Sequence, residues 1–325
     1  MSQPRAPVAV VIVSWNSERF LEECLESLRA LQRPPSEIVL VDNASRDGSA
    51  DLARERYPEV QVVDLDHNAG FCAANNLGIK LTTSPFVLVL NPDTRLDPQF
   101  LEQLLPAFED PGVGLAAGKL LRFDGRTIDS AGQLLGRSRQ PKDRGYGKPD
   151  RGQFDRDEVL FGVCGAAALY RRTMLDTVAD PGGRYFDESF FAFVEDLDLA
   201  WRAGRMGWKT AYRHRARAEH ARGGSASGSP WLRRLAAMLG RSPEIRFHVV
   251  KNRYLTILRN DTIGGYLRNA PFIWTRDLAT LMLLALTSPA VLARLWRERS
   301  LFRGALARRK LDSARARHHV QPGAV

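Results

Sequence analysis

Apolar runs alternate with amphipathic segments over the first hundred residues, and each run is followed by polar residues. The runs cover residues 7–15, 37–41, 60–65 and 86–90. Their continuous, β-branched character is typical of strands buried on both faces of a parallel sheet. Apolar residues at helical spacing fill the gaps, and residues 98–108 follow as a helix that starts with proline. The alternation predicts an α/β fold, in which a Rossmann-like, mostly parallel sheet is flanked by helices.

The polar residues after these runs mark a candidate site. Asn16, Asp42, Asn68 and Asp93 each follow one of the four runs within a few residues. In open α/β sheets, ligands bind beyond the carboxyl ends of the strands. The chain contains neither G-x-G-x-x-G nor G-x-x-x-x-G-K-[ST], which argues against a dinucleotide fingerprint and against a Walker loop.

Three carboxylates, Glu195, Asp196 and Asp198, fall within four residues directly after an aromatic run. The apolar spacing that follows predicts a helix beginning near Glu195, which makes Asp198 and Arg202 an i,i+4 pair. One interpretation is an acidic first turn that complements the helix dipole, together with a solvated salt bridge. The other is that Asp196 is a general base at the mouth of a cleft. The segment alone leaves both open.

Beyond the first hundred residues the pattern loosens and then becomes helical. Residues 125–157 are rich in Gly, Arg, Asp and Pro, and we expect a long, mobile, partly ordered loop. A short strand is expected at 208–212, and the glycine- and serine-rich residues 223–229 predict a flexible loop. Helices are expected at 231–239 and 244–259.

An uncharged stretch at 278–293 precedes a basic tail. A helix of that length measures about 24 Å, which is short of the roughly 30 Å hydrocarbon core. We therefore expect an interfacial helical hairpin, with an ordinary buried helix pair as the alternative. Residues 294–319 carry nine Lys or Arg against two acids, which favours an anionic membrane surface as partner. We divide the chain into a catalytic domain, 1–225, and a helical C-terminal region, 226–325.

Charge and cysteine content narrow the class of protein. The formal net charge is +10, but most of it lies in the basic tail, so we expect no nucleic-acid partner for the body. The three cysteines lie among apolar or small residues and predict reduced core thiols, with neither a disulfide frame nor a zinc site. No signal-peptide pattern opens the sequence. We expect a cytoplasmic protein that is peripheral on the inner face of the plasma membrane.

Six short motifs occur in an order that resembles a known enzyme family. They are VIVSWN at 11–16, VDNAS at 41–45, HNAGF at 67–71, NPDT at 91–94, EDLD at 195–198 and HARGGS at 220–225. Together they resemble the inverting family 2 glycosyltransferases with a GT-A fold, and most of all the bacterial rhamnosyltransferase-type members that build cell-surface polysaccharide. The resemblance implies transfer of a sugar, best matched to L-rhamnose from dTDP-rhamnose, to a hydroxyl of a lipid-linked or polysaccharide acceptor in cell-envelope glycan synthesis.

The resemblance also implies roles for single residues. Asp196 matches the catalytic base. Asp93 matches the last residue of the family's D-x-D and, with His220, implies a divalent cation, Mg²⁺ or Mn²⁺, beside the donor diphosphate. Asn91 stands where the first Asp of that motif is expected, so one anionic ligand is missing. Asp42 resembles the aspartate that accepts the N–H of a uracil or thymine ring, in a dTDP- or UDP-linked donor. Further substrate-binding positions implied by the motifs are Ser14, Trp15, Asn68, Gly70, Asn91 and Glu195.

Two other functions are compatible with the same layout. The first is a nucleotide-sugar-binding subunit without catalysis, docked in a membrane polysaccharide assembly. It is suggested by Asn91, which stands where the family has Asp. A nucleotidyltransferase would share the α/β layout and the use of metal, but the missing glycine-rich phosphate loop argues against it. Metal-dependent turnover of a nucleotide sugar would reject the non-catalytic subunit. Release of pyrophosphate rather than a nucleoside diphosphate would identify a nucleotidyltransferase.

Overall fold

The structure is a computed structural model that describes residues 5–222 and 240–319. The strands are β1 (Ala6–Ser14), β2 (Pro35–Asp42), β3 (Gln61–Asp64), β4 (Phe86–Leu90), β5 (Thr94–Leu96), β6 (Val113–Leu121), β7 (Ile128–Ser130), β8 (Gln133–Leu135), β9 (Pro141–Asp143), β10 (Glu158–Leu160), β11 (Ala167–Arg171) and β12 (Lys209–His220). The helices are α1 (Glu18–Arg29), α2 (Ser49–Arg56), α3 (Phe71–Lys80), α4 (Phe100–Leu104), α5 (Arg172–Val178), α6 (Glu195–Arg205), α7 (Pro243–Asn260), α8 (Ile263–Thr287), α9 (Pro289–Arg297) and α10 (Ser300–His319). The loop predicted at 223–229 and the helix predicted at 231–239 lie outside the described residues.

One ten-stranded sheet organises the described chain. Its main order is β10-β12-β6-β11-β4-β1-β2-β3, with β5 on β12 and β7 on β6. The four predicted strands form the parallel block β4-β1-β2-β3. β11 runs antiparallel between β4 and β6, which makes the sheet mixed. The α/β class is confirmed, and the antiparallel strand is an addition that the hydrophobic pattern did not predict.

Helices cover both faces of the sheet, so β1 is buried from both sides. Val10 and Ile12 face a core that contains side chains of α1, α2 and α4. Val11 faces the other core, built with α3, α5, α6, α7 and α10. Because successive strand residues point to opposite faces, a strand covered on both sides must be apolar at every position. This explains the uninterrupted apolar run at the start of the chain.

The prediction for residues 125–157 was wrong, because this segment is structured. It contains β7, the β8–β9 hairpin (residues 133–143) and a series of turns. Lys119, fully buried on β6, forms ion pairs with Asp150, at 3.0 Å, and with Asp155. Removing one partner of a buried ion pair is costly, so these contacts hold the segment in place. Its polar composition reflects ionic packing, which hydrophobic periodicity does not detect.

Two other predicted elements differ in extent. The strand expected at 208–212 continues to His220, because β12 stays paired with β6 and then with β5. The helix expected at 98–108 is α4 followed by a 3-10 helix, Leu105–Glu109, with Pro106 in its first turn. The longer β12 matters for function, since its last residue was predicted to bind metal.

The C-terminal helices pack on the sheet domain and on each other. Leu255 of α7 and Ala305 of α10 belong to the same core as α3, α5 and α6. The uncharged stretch forms the end of α8 and the start of α9, which bend by 114° at Ser288. Of the helices described, none is long and apolar enough to cross a membrane alone, whereas the bent pair passes that test together by length and composition. The division at residue 225 stays a prediction.

Candidate active site

The carboxyl ends of three adjacent strands bring Ser14, Asp42 and Asn91 to one rim of the sheet. β1 lies between β2 and β4, with Ser14 opposite Asp42 and Ile12 opposite Leu90. Three buried oxygens, Ser14 Oγ, Asp42 Oδ1 and Asn91 Oδ1, have no hydrogen-bond partner within the described chain. Buried polar atoms in folded proteins are almost always hydrogen-bonded. These three oxygens therefore mark a surface prepared for a polar ligand.

The loop after β3 borders this rim. Asn68 Oδ1 accepts hydrogen bonds from the Asn43 side-chain amide at 3.0 Å and from the Gly70 backbone N–H at 2.9 Å. Gly70 has a φ of +86°, and a Cβ there would lie 2.5 Å from the Phe191 ring. Glycine is thus required by both the backbone and the close approach. Trp15, which is 57% exposed, directly follows Ser14 of the rim.

β12 ends in His220, which lies against Asp93. The two ring nitrogens of His220 are 3.2 Å from Asp93 Oδ1 and 2.9 Å from Asp129 Oδ2. Burial by itself would lower the pKa of His220, but the hydrogen bonds to Asp129 and Asp93 raise that pKa to about 9. Within residues 5–222 and 240–319, no group of three or more His, Cys, Asp or Glu is placed to hold a metal ion. Asp93 and His220 form a pair, and further ligands would have to come from elsewhere.

The segment before α6 has an unusual backbone. Phe191, Phe193 and Val194 have φ values of +66°, +74° and +72°, in the left-handed region that bulky residues avoid. Such conformations persist where neighbouring structure holds them, and they cluster at functional sites. The Asn252 side-chain amide of α7 donates to three carbonyl oxygens of the segment, those of Phe190, Ala192 and Phe193, at 3.0, 2.6 and 2.8 Å. A C-terminal helix thereby sets the position of the predicted catalytic carboxylate.

Asp196 is held by three hydrogen bonds. Its Oδ2 accepts from Gln133 Nε2 at 2.8 Å and from the Gly165 N–H at 2.9 Å, and its Oδ1 accepts from the Leu197 N–H at 2.7 Å. Burial raises the pKa of Asp196, and the Gly165 hydrogen bond opposes that rise. Glu195 Oε2 is buried and has no hydrogen-bond partner in the described structure. Burial, with the neighbouring Asp196 charge, raises the pKa of Glu195 to about 8.

Asp198 has a different environment from the other two carboxylates. It accepts hydrogen bonds from Arg202 at 2.8 Å and from Asn260 at 2.7 Å, and Arg259 lies 3.7 Å away. Burial alone would raise the pKa of Asp198, but the Arg202 and Arg259 charges lower it. The predicted i,i+4 pair with Arg202 is confirmed. The pair is buried, with each side chain only 1% exposed, so the solvated salt bridge considered above was wrong.

A chain of ionic contacts connects the Asp93 side of the site with the Asp196 side. Arg222 bonds to Asp129, the partner of His220, at 3.0 Å and to Asp143 of the β8–β9 hairpin at 2.6 Å. The negative charge of Asp143 in turn contributes to the raised pKa of Asp196. The two sets of residues therefore lie within electrostatic reach of one another.

Comparison with known proteins identifies the family. A sequence model of glycosyl transferase family 2 matches residues 9–179. A protein of Mycobacterium tuberculosis, N-acetylglucosaminyl-diphospho-decaprenol L-rhamnosyltransferase, is 31% identical over 247 residues, which are 68% of this chain and 78% of that protein. The chain belongs to glycosyl transferase family 2. The predicted class of enzyme, a family 2 glycosyltransferase, is therefore confirmed.

Solved structures agree on the fold of this glycosyltransferase. The mannosyltransferase PcManGT from Pyrobaculum calidifontis, in complex with GDP-Man and Mn²⁺, has a TM-score of 0.54 at 17% identity, covering 98% of this chain and 88% of that one. S. aureus TarS, in complex with UDP, has a TM-score of 0.52 at 18% identity, covering 82% of this chain and 69% of that one. These likenesses confirm the predicted GT-A fold.

The structure of the glycosyltransferase brings most of the predicted site residues together. Ser14, Asp42 and Asn91 share the rim, and Asp93 meets His220, as the motifs implied. No direct contact joins Asp93 and Asp196 within the described chain. The role of each residue stays a prediction.

Sequence reasoning missed the residues that hold the site. Gln133 and Gly165 position Asp196. Asp129 bonds to His220, and Arg222 bonds to Asp129. Asn252 supports the acidic segment. Gly165 acts through its backbone N–H, which lies 2.9 Å from Asp196 Oδ2. Asp129 and Gln133 belong to a segment interpreted as a loop, and Asn252 to a separate helical region, so no local pattern pointed to them. Arg222 lies within the motif at 220–225, of which only His220 was singled out.

Proposed function

We propose that this glycosyltransferase transfers L-rhamnose, with inversion, from dTDP-rhamnose to a hydroxyl of a diphosphate-linked lipid acceptor. The observation that carries the proposal is Asp196, a carboxylate with a raised pKa that Gln133 and Gly165 hold in place by hydrogen bonds. The name of the rhamnosyltransferase relative supplies the transferred sugar and the class of acceptor, while the nucleotide of the donor is argued from Asp42 below. A polysaccharide acceptor is the alternative within the same reaction.

Asp42 and Trp15 would recognise the base of the donor. Asp42 Oδ2 is engaged by the Ser45 N–H at 2.9 Å, whereas Asp42 Oδ1 is buried without a partner. An unpaired carboxylate oxygen can accept the imide N–H that thymine and uracil share. Trp15 is exposed beside the rim and offers a surface for stacking. This pair favours a dTDP or UDP donor.

The residues around Asp93 fit a divalent cation. Asp93 offers a carboxylate, Asn91 Oδ1 is an oxygen without a hydrogen-bond partner in the described structure, and His220 presents a ring nitrogen to Asp93. Mg²⁺ is commonly held by one or two carboxylates, with phosphate and water completing its shell. The ion, Mg²⁺ or Mn²⁺, would neutralise charge on the leaving diphosphate. His220 would have to be neutral to act as a ligand, so its proton would leave when the ion binds.

Asp196 would take the proton of the acceptor hydroxyl as that oxygen attacks the anomeric carbon. The bond from the anomeric carbon to the donor diphosphate breaks on the opposite face, which inverts the configuration. A raised pKa makes Asp196 a stronger base than an exposed aspartate. Gln133, Gly165 and Leu197 hold the carboxylate in place, and one lone pair of Oδ1 remains for the incoming proton.

Product analysis tests the reaction. Purified protein is incubated with dTDP-rhamnose and farnesyl-diphospho-N-acetylglucosamine, with Mn²⁺ or after treatment with EDTA. We expect metal-dependent release of dTDP and a rhamnosylated product with inverted anomeric configuration by NMR. Tight dTDP binding without turnover of any nucleotide sugar would instead support a non-catalytic subunit. Transfer from another donor, such as UDP-galactofuranose or UDP-glucose, would refute rhamnose.

The membrane proposal rests on separate residues. We propose that the outer face of α8 and α9 lies on the inner face of the plasma membrane. Leu278, Met282, Leu286 and Trp296 are all more than half exposed, and the basic stretch 294–319 adjoins them in the sequence. Exposed apolar residues with a basic flank are typical of interfacial helices. Flotation with phosphatidylglycerol vesicles tests this, and Leu278→Glu with Leu286→Glu should abolish it.

A further inference from the structure

A cavity lies next to the segment that leads into the predicted catalytic carboxylates. It has a volume of about 820 Å³ and is bounded by the tip of the β8–β9 hairpin, α7 and α8. No acidic residue lines it within the described chain. Five basic side chains do, and we call this cavity the basic cleft after them: Arg137, Arg139, Lys142, Arg253 and Arg276.

Two cations of the basic cleft are fixed by carboxylates behind it. Arg139 forms a two-bond pair with Asp261, at 2.6 and 3.0 Å, and Arg253 bonds to Asp277 at 2.7 Å. Arg253 Nη2 is nevertheless buried and has no hydrogen-bond partner within the described chain. A buried, charged donor without an acceptor is costly, because water has been removed and nothing replaces it. This atom needs an anionic or carbonyl partner that the described residues do not supply.

Two further cations are available at the entrance. Arg137 and Lys142 are exposed, and neither has a carboxylate within ion-pair distance in the described structure. The Arg137 guanidinium lies 4.0 Å from the Phe272 ring centroid, which holds it over the cleft. Arginine and lysine presented around one cavity are the usual means of binding phosphate groups.

The rest of the basic cleft is apolar, and it leads away from the nucleotide rim. Val249, Val250, Pro271 and Phe272 form part of its wall. The outer surface of α8 continues this apolar character, since Leu278 and Met282 are exposed. A ligand that fits both parts has an anionic head and an apolar chain.

The basic cleft adjoins the reaction centre through two elements. Val194 lines the cleft and directly precedes Glu195. The β8–β9 hairpin supplies Arg137 from its turn and Lys142 from β9, while Gln133 at its base bonds to Asp196 at 2.8 Å. The donor rim, by contrast, lies at the ends of β1, β2 and β4. An anion in the basic cleft would therefore belong to the acceptor.

We propose that the basic cleft binds the diphosphate of a polyprenyl-diphosphate acceptor, with the prenyl chain running along α8. This assignment rests on the proposed function for its acceptor class. Arg137, Lys142 and Arg253 Nη2 contact the diphosphate oxygens, and Phe272 contacts the first prenyl units. The arrangement directs the sugar of the acceptor towards Asp196.

The test separates acceptor binding from catalysis. Farnesyl diphosphate is titrated against the full chain by calorimetry without donor, for wild type and for Arg137→Glu with Lys142→Glu. We expect the double variant to bind at least about tenfold more weakly, since it replaces two attractive charges by repulsive ones. Its affinity for dTDP should be unchanged. The matched control is Lys148→Glu with Arg151→Glu, two exposed basic residues outside the cleft, which should bind farnesyl diphosphate like wild type.

Kinetics and vesicle binding complete the test. With farnesyl-diphospho-N-acetylglucosamine, the Arg137→Glu, Lys142→Glu variant should show a raised acceptor KM at little changed donor KM. Equal farnesyl diphosphate affinity in variant and wild type would overturn the assignment, as would a variant that loses only phosphatidylglycerol vesicle binding. Farnesyl diphosphate binding that depends on these residues, without sugar transfer by wild type, would refute the proposed function and leave the cleft assignment standing. Sugar transfer by wild type, with an acceptor KM that is unchanged in the double variant, would support the proposed function and refute the cleft assignment.

Discussion

The donor rim and the network around Asp198 are both buried and polar, yet they are built in opposite ways. At the rim, Ser14, Asp42 and Asn91 each keep a buried oxygen without a hydrogen-bond partner in the described structure. Around Asp198, carboxylates alternate with guanidinium groups. Arg259 alone lies 2.8 Å from Asp187, 2.9 Å from Asp312 and 3.7 Å from Asp198.

The difference separates residues that await a ligand from residues that hold the frame. A buried polar atom left without a partner costs free energy, and a ligand that supplies the partner recovers it. A buried ion pair, once formed, resists change because removing one member leaves the other uncompensated. Within one motif, Glu195 keeps a buried oxygen without a partner in the described structure and belongs to the first kind, whereas Asp198 belongs to the second. Proximity in sequence therefore does not imply a shared role.

The largest expected effect is the loss of the base by Asp196→Asn. Asparagine keeps the size of the side chain but cannot accept the acceptor proton, and general-base catalysis typically contributes about 10²–10⁴ in rate. We expect kcat to fall by about 10³ with dTDP affinity little changed, and the melting temperature to fall only by the equivalent of one lost hydrogen bond, about 1 kcal/mol. Asp198→Asn is the informative comparison, because it should lower the melting temperature instead. Near-normal kcat in a folded Asp196→Asn protein would contradict the base assignment.

On the other side of the comparison, Arg259→Met should mainly affect stability. It leaves Asp187, Asp198 and Asp312 without their shared cation, and breaking a buried pair costs about 3–5 kcal/mol. Urea denaturation measures the free energy of unfolding. Arg184→Met is the matched control, since Arg184 is 47% exposed beside Asp180, and it should cost about 1 kcal/mol or less. Equal losses of unfolding free energy in the two variants would show that the buried network around Asp198 is no more important for stability than an exposed ion pair.

Asn252→Ala tests whether the frame positions the base. The Asn252 amide donates to the carbonyls of Phe190, Ala192 and Phe193, in the segment whose backbone is left-handed. Without it, small displacements of Asp196 should lower kcat by about tenfold, since misplacement by an ångström costs up to about a hundredfold. The donor KM should not change, because the rim is built by other strands. Asn269→Ala, which removes a single bond within α8, is the control. An altered donor KM with unchanged kcat would argue against positioning.

Sequence alone predicted the parallel block of the sheet, because double burial forces an uninterrupted apolar run such as 7–15. It also predicted that a helix begins at Glu195, and the family motifs located the rim. It did not predict Gln133, which reaches Asp196 across 63 positions of the chain, or Asn252, which acts from the last third of it. Contacts at such separations depend on tertiary packing and leave no local period. The left-handed residues Phe191, Phe193 and Val194 are not glycines, so composition gave no sign of the turn they form.

The smallest effect concerns Glu195, because its contribution to the free energy of unfolding should depend on pH. In the folded protein the pKa of Glu195 is raised to about 8 from 4.5, so the unfolded chain releases this proton at lower pH. Folding then becomes less favourable as pH rises from about 4.5 to about 8, because the folded state binds more protons. Glu195→Gln has no such proton and should be more stable than wild type by an amount that grows over this range, by at most about 1.4 kcal/mol per pH unit. Urea unfolding without donor at pH 5, 6.5 and 8 measures this, with exposed Glu102→Gln as control. A difference that stays constant with pH would place Glu195 with Asp198, as part of the frame rather than of the site.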